Sequence, residues 1–367
     1  MSNKTKKRIA IVGTVGVPAC YGGYETLVEN LLRSKQDPEL LYTVYCTSTA
    51  YKTRLKEYLG ARLVYLPLKA NGCQSFLYDS LSFFHAWFTH DIILSLGTAG
   101  CWIIPLLKIF RRIPVIINYD GLDNKRAKFN SFSSMAITLT RACANSFSTV
   151  GISDNAAIRD YVKKNYHRDS VLIEYGGDNA KPVYNSETLK NKYGLQERQY
   201  LLAVARIEPE NNIRIILEAA ARLPDKKFVI VGNWNRSEWG KKLRLEFSHF
   251  ANIQMLDPIY EPEQINLLRS NCELYLHGHS MGGTNPSLVE IMNLGLPVFA
   301  FDVVYNRATT EEKAFYFHDT ASLVDGITTF SKEDLARNAE SMKEIAQRRY
   351  TWQIICQKYE SLLKQYL

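Results

Sequence analysis

Four stretches of this 367-residue sequence bring together residue types that can hold and polarise an anionic ligand. The first, GTVGVPACYGGYETLVENLL, starts at Gly13 and sets Gly22 and Gly23 just before Leu27, Val28, Leu31 and Leu32, which are apolar at helical spacing. A glycine loop that opens a helix offers free backbone N–H groups and the positive dipole end to an anion, although glycines that only permit a tight turn read the same way. A dinucleotide fingerprint does not fit. Gly13 and Gly16 are spaced G-x-x-G, and the second strand, VYCTST, ends without an acid.

The second stretch, NYDGLDNKRAK, places Asp120 before Gly121 at a strand end, with Lys125, Arg126 and Lys128 close behind. A side chain there reaches a ligand or caps a turn. The third, LLAVARIEPENN, ends a strand on Arg206, whose planar guanidinium can clamp phosphates and offset charge on a departing diphosphate; a surface ion pair is the competing reading. The fourth, LYLHGHSMGGTNPSLVEIMNLGLPVFA, ends a strand near His277 and follows it with a glycine loop. Asn285 then caps a helix with Pro286 at its first position, and Gly295 and Pro297 close it. Glu290 sits one turn in, either with a carboxylate to spare for sugar hydroxyls or closing a Ser287-x-x-Glu290 capping box. His277 and His279 form H-x-H without a third ligand at zinc spacing.

These loops need scaffolds to aim them. In the first half, RIAIVGTV, LYTVYCT, ARLVYLPL, DIILSLG, IPVIINY and FSTVGIS alternate with helical patterns such as Glu25 to Leu32. The second half repeats this with YLLAVAR, a helix from about Ile213 to Arg222, KFVIVG, ELYLHG and LPVFAFD. Alternation of this kind predicts two doubly wound α/β domains, each a parallel sheet covered by helices. The Gly-, Asn-, Pro- and Ser-rich segment between Tyr175 and Leu195 marks the boundary, and the aromatic and aliphatic residues after Arg349 predict a terminal helix. Ligands of open α/β sheets bind beyond the carboxyl ends of the strands, so a cleft between the domains is the expected site.

Composition narrows the class further. With 46% hydrophobic and 22% charged residues the chain is globular, neither disordered nor coiled coil. The net charge of +8 comes entirely from residues 1–178, where 22 Lys and Arg face 14 Asp and Glu; residues 179–367 hold 23 of each. Such one-sidedness predicts an anionic partner for the first half, or only a solvated lysine surface. Seven scattered cysteines without a C-x-x-C pair, and a start that lacks a signal peptide, read as a reduced cytoplasmic protein. The uncharged run Ile92 to Leu107, interrupted by Gly97, Gly100 and Pro105, is too short to cross a membrane. No helix-turn-helix, zinc or RNA-binding signature accompanies the basic charge, so nucleic acid is not an expected partner.

The motifs resemble the family-4 retaining glycosyltransferases of the GT-B fold, and within them a bacterial rhamnosyltransferase-like group. That group carries G-x-x-G-x-P-A-x-Y-G-G-[FY]-E-[TS], present at Gly13 to Thr26, and G-G-T-N-P-S-L-V-E-x-M, present at Gly282 to Met292. ARIEPENN at Ala205 to Asn212 is similar to the same group's element. The resemblance implies an acceptor-binding domain over 1–178, a nucleotide-sugar-binding domain over 195–349 and a helix over 350–367 that returns to the first domain. It places Arg206 on the donor diphosphate, Glu290 on the ribose, and Gly282, Gly283, Thr284 and Asn285 around the transferred sugar. It sets Asp120 beside the reacting carbon, and Gly22 and Gly23 where acceptor and diphosphate meet. Two departures stand out. The wider family usually has Lys-Gly where Asn211-Asn212 stands, so Asn211 joins the donor contacts in place of a cation. The wider family also has a glutamate at the position of Gly282, which makes a deoxy sugar such as L-rhamnose from dTDP-rhamnose the expected donor.

The expected chemistry is front-face retaining transfer without metal or other cofactor, since no carboxylate pair suggests a covalent glycosyl-enzyme. The acceptor would be a lipid-linked saccharide or oligosaccharide of a bacterial surface polysaccharide, O-antigen or capsule. The basic first domain would rest on the anionic inner face of the cell membrane. Trp102, Ile103, Ile104, Leu106, Leu107, Ile109 and Phe110 could help, but a helix between two strands is expected to bury most of them. Three other functions stay open: a transferase using a UDP- or GDP-hexose, a sugar-nucleotide epimerase of the same fold, and a noncatalytic nucleotide-sugar binding protein.

Overall fold

A computed structural model describes residues 6–20, 22–119 and 131–367, and for Cys73 and residues 131–136 the description is of the backbone alone. The chain forms two compact units, Met1–Glu174 with Trp352–Leu367, and Tyr175–Thr351.

In the first unit the order is β1 (Lys7–Val12), α1 (Gly23–Ser34), β2 (Leu40–Thr47), β3 (Glu57–Tyr58), β4 (Ala61–Leu66), α2 (Ser75–Thr89), β5 (Ile92–Leu96) and α3 (Ile104–Phe110). It continues with β6 (Val115–Tyr119), α4 (Ser131–Phe147), β7 (Val150–Ser153), α5 (Ala156–Tyr166) and β8 (Ser170–Leu172). Its eight-stranded sheet runs β3-β4-β2-β1-β5-β6-β7-β8, parallel except for the β3–β4 hairpin. Ile9, Ala10, Ile11 and Val12 are fully buried, which is why β1 reads as an unbroken apolar run and not an alternating one.

The second unit runs α6 (Ser186–Tyr193), β9 (Tyr200–Val204), α7 (Ile213–Arg222), β10 (Lys227–Val231), α8 (Glu238–Phe247), β11 (Ile253–Leu256), α9 (Pro262–Asn271) and β12 (Leu274–His277). Then follow α10 (Pro286–Asn293), β13 (Val298–Phe301), α11 (Val304–Thr309), β14 (Phe315–Phe317), α12 (Thr320–Thr329) and α13 (Lys332–Arg349). Its six strands are all parallel, in the order β11-β10-β9-β12-β13-β14. Strand order reverses between β1 and β5 in the first sheet and between β9 and β12 in the second. Loops leaving these strands diverge to opposite faces and open a crevice at their carboxyl ends.

The segment 175–195, expected to act as a boundary, packs with the second unit. Val183 N–H donates to Ser270 Oγ at 3.0 Å, Asn271 Nδ2 donates to the Val183 carbonyl at 3.0 Å, and Gly177 N–H donates to the Tyr350 carbonyl at 2.8 Å. The last helix, α14 (Trp352–Gln365), belongs to the first unit and lies against α1. Its buried Glu360 accepts from the backbone N–H groups of Gln36 at 2.9 Å and Asp37 at 3.2 Å. Its Tyr359 hydroxyl accepts from Asn118 Nδ2 at 2.8 Å, deep beneath the end of β6.

Tyr359→Phe leaves the buried Asn118 amide without that acceptor and should destabilise the protein by about 1–3 kcal/mol in urea titrations. An unchanged midpoint would show that the amide is satisfied elsewhere.

Candidate functional site

In the second unit the site residues lie at the reversal point between β9 and β12. Arg206 sits two residues beyond β9, and its side chain is exposed; no carboxylate pairs with it among the described residues. Its backbone, by contrast, is held firmly. The Arg206 carbonyl accepts from Asn211 Nδ2 at 2.7 Å and from Glu208 N–H at 2.9 Å. Asn212, at φ 50°, donates from Nδ2 to the Gly278 carbonyl at 2.8 Å. Ser280 donates to the Glu210 carbonyl twice, from N–H at 3.0 Å and from Oγ at 2.8 Å. A Cβ at Gly278 would lie 2.2 Å from the Asn211 carbonyl oxygen, so only glycine lets the two loops approach this closely. Asn211 is 1% exposed, and its amide orients the arginine loop from beneath.

The glycine loop that follows leads into α10. Asn285 caps this helix, its Oδ1 accepting from Ser287 N–H at 3.1 Å and Ser287 Oγ at 2.9 Å, with Pro286 at the first position. Ser287 is therefore inside the helix, and the alternative capping box with Glu290 does not form. Gly282 has φ 115°, a conformation that disfavours any larger residue, and a Cβ built there meets open space. Thr284 is buried, while Gly283 and Asn285 are half-buried.

Glu290 is not a spare carboxylate. Its Oε2 pairs with Arg269 Nη2 of α9 at 2.6 Å, its Oε1 accepts from Asn179 Nδ2 at 2.8 Å, and the paired side chains are 13% and 9% exposed. Each oxygen keeps a further lone pair, so this fixed carboxylate can still accept from a pair of vicinal hydroxyls. Arg269 and Asn179 are partners of Glu290 that the sequence reading missed. They lie 21 and 111 residues from Glu290, and no local spacing announces them.

His277 and His279 stack with ring centroids 4.5 Å apart. Burial holds both imidazoles neutral, pushing His277 well below its ordinary value and His279, helped by the nearby Arg206 guanidinium, down to about 3. Neither His277 ring nitrogen has a hydrogen-bond partner among the described residues. No group of three or more His, Cys, Asp or Glu that could hold a metal occurs among the described residues.

In the first unit, Gly13 (φ 84°) and Gly16 (φ 125°) turn the chain at the β1–β5 reversal, where a Cβ on Gly13 would strike the Leu96 carbonyl. Two glutamates of α1 then secure the loop. Glu25 Oε1 accepts from Val15 N–H at 2.8 Å and Thr14 Oγ1 at 2.9 Å, and Glu29 Oε2 accepts from Ala19 N–H at 2.7 Å. Glu25 is buried, and a Cβ on Gly22 would lie 1.9 Å from its Oε2. A carboxylate thus stands beside Gly22, where the sequence alone offered either an anion site or a tight turn. Nearby Asp79, buried against Gly100 just past β5, has its carboxyl raised to about 7 by burial. Asp120 and the cations Lys125, Arg126 and Lys128 lie outside the described residues.

Residues 185–349 match the family described as Glycosyl transferases group 1, and residues 6–178 match a domain of unknown function, DUF1972. A stretch of 144 residues is 28% identical to the GtfA subunit of the UDP-N-acetylglucosamine–peptide N-acetylglucosaminyltransferase of Streptococcus parasanguinis, covering 35% of this chain and 26% of that relative. Among solved structures, sucrose-phosphate synthase from Thermosynechococcus elongatus superposes with a TM-score of 0.78 at 16% identity, over 98% of this chain and 99% of that one. Anabaena HepE in complex with UDP gives 0.78 at 17% identity, over 98% of this chain and all of that one at 100%.

Glu290→Ala would strand the nearly buried Arg269 cation and should cost about 3–5 kcal/mol of stability in denaturant melts, whereas a loss under about 1 kcal/mol would show the pair to be solvent-screened. The histidines set a pH dependence whose sign follows from their lowered values. Unfolded imidazoles take up protons below about pH 6.5 while folded ones do not, so stability falls as pH drops. His279→Gln should flatten that slope by about 1.4 kcal/mol per pH unit between about pH 6 and pH 4; equal slopes for both proteins would contradict a neutral buried His279. Residues 185–349 thus match the Glycosyl transferases group 1 family, and the chain has the GT-B fold of the solved structures it resembles.

Proposed function

We propose that this protein is a retaining glycosyltransferase of the family-4, rhamnosyltransferase-like kind, moving L-rhamnose from dTDP-rhamnose to a lipid-linked or oligosaccharide acceptor of a bacterial surface polysaccharide. One observation carries the reading: Arg206 presents an exposed, carboxylate-free guanidinium from a loop fixed by five hydrogen bonds. A cation with a rigid base and no internal partner is preorganised for an anion.

In the proposed step, the bond between the sugar's anomeric carbon and the leaving diphosphate oxygen breaks as the acceptor oxygen bonds to the same face of that carbon. The acceptor's proton passes to the departing phosphate oxygen, so no enzyme carboxylate has to take it. Arg206 and the N-terminal dipole of α10 stabilise the charge gathering on the diphosphate, the fixed Glu290 carboxylate accepts from the ribose hydroxyls, and backbone groups of Gly282, Gly283, Thr284 and Asn285 frame the sugar. Asn211 acts through Arg206. The family resemblance assigns Asp120 a role at the reacting carbon and Gly22 and Gly23 one on the acceptor side, and the step calls for no metal. The enzyme works in the cytoplasm, at the membrane's inner face. HepE was solved with UDP, which favours a UDP-hexose as the second reading for the donor.

Arg206→Ala should lower turnover roughly 10²-fold, equivalent to about 3 kcal/mol of lost transition-state stabilisation; unchanged turnover would remove the assignment. The donor is identified by thermal shifts with dTDP-, UDP- and GDP-sugars, since a ligand at about 100 times its Kd adds about 2.7 kcal/mol. Release of an epimerised nucleotide sugar, or tight donor binding with no sugar reaching any acceptor, would replace transfer with the epimerase or the noncatalytic function.

A further inference from the structure

The helix α2, SFLYDSLSFFHAWFT, is apolar on two sides. Tyr78, Phe83, Ala86 and Trp87 are buried beneath it against the sheet, as its position requires. Its outward stripe should then be polar. Instead Leu77, Leu81, Phe84 and Phe88 recur at helical spacing along the outside, and each is about half exposed. The stripe continues onto α3, where the expected burial of its apolar residues is only partly realised. Ile104 and Leu107 are buried, but Leu106 is 54% exposed, Ile109 77% and Phe110 73%. Ring contacts join the two helices into one surface: Phe84 to Phe88 at 5.4 Å and Phe88 to Phe110 at 6.4 Å between centroids. A continuous apolar face of this kind marks an interaction site.

Charge beside the face says what kind of partner fits. Lys108 and Arg112, with Pro105, Ile109 and Ile113, line a surface pocket of about 620 Å³. Neither cation has an ion-pair partner among the described residues. Burial holds Lys108 below the ordinary lysine value, and the nearby Arg112 and Arg168 lower it further, so these like charges converge without a counterion.

We infer that the α2–α3 face is the surface by which the protein docks on a bilayer of anionic phospholipid, with the phenylalanines and Ile109 entering the acyl boundary and the Lys108–Arg112 pocket holding a headgroup phosphate. Aromatic and aliphatic side chains beside lysine and arginine are the chemistry of interfacial helices. A second copy of the chain suits the face poorly, because a two-fold pairing would bring each copy's Lys108 and Arg112 towards the other's. This inference deepens the membrane part of the proposed function. Its test needs neither donor nor acceptor, so its failure leaves the transfer reaction standing.

The test is cosedimentation of the full chain with phosphatidylglycerol or phosphatidylcholine vesicles. The intact protein should pellet with phosphatidylglycerol and stay in solution with phosphatidylcholine, and added salt should weaken the binding. Ile109→Ser with Phe110→Ser should reduce binding at least tenfold, and Lys108→Gln with Arg112→Gln should abolish the preference for the anionic lipid. All four positions are at the surface, so thermal midpoints should stay unchanged, and loss of binding without loss of fold supports the face. Failure to bind either vesicle, binding that neither double variant alters, or a dimer that the Ile109 and Phe110 changes dissociate in light scattering would each overturn the proposal.

Discussion

The second unit's site depends on how closely two loops approach each other. The chain leaving β9 and the chain leaving β12 touch backbone to backbone, with the Asn211 carbonyl against the Gly278 α-carbon and Ser280 hydrogen-bonded to the Glu210 carbonyl. A parallel sheet whose strand order reverses would normally hold these loops apart, and the contact closes the gap at its base. Arg206 then rises from a platform whose conformation is fixed before any ligand arrives. Its long side chain keeps its freedom while its Cα does not, which confines the ordering entropy of binding to one side chain.

Electrostatics within the unit follow the same division between a fixed base and an available surface. The buried charges are matched internally, as Arg269 is to Glu290, or suppressed, as in the neutral His277 and His279. The exposed Arg206 is left unmatched. A neutral imidazole near the guanidinium adds no like charge beside it, whereas an imidazolium there would repel that cation. In the first unit Glu25 has the opposite role, because its carboxylate replaces solvent for the Val15 amide and the Thr14 hydroxyl of the glycine loop.

Much of the architecture was legible because its signals are local. Short apolar runs marked β1, β5, β9 and β12, and the order Asn285, Pro286, Gly295 delimited α10 from one end to the other. Pairings across long separations left no such mark. The Arg269–Glu290 ion pair joins two helices, and Asn118 meets Tyr359 across 241 residues. Asn211 shows how a residue type misleads when its direction is unknown, for an amide expected to face the donor turns back under the Arg206 carbonyl. The outer stripe of α2 was hidden for a different reason. A helix apolar on both faces has the composition of a buried one, and only the observed packing shows which face is left uncovered.

The position of α14 bears on how the protein is made. This helix completes the first unit but is translated only after the whole of the second. At about 5–20 residues per second, the ribosome takes roughly ten seconds or more to cross the intervening segment. Until then the inner side of α1 and the Asn118 amide lack their covering. The amino-terminal unit therefore stays incompletely covered until the last residues are made, whereas the unit between its two pieces in sequence can fold as soon as it emerges.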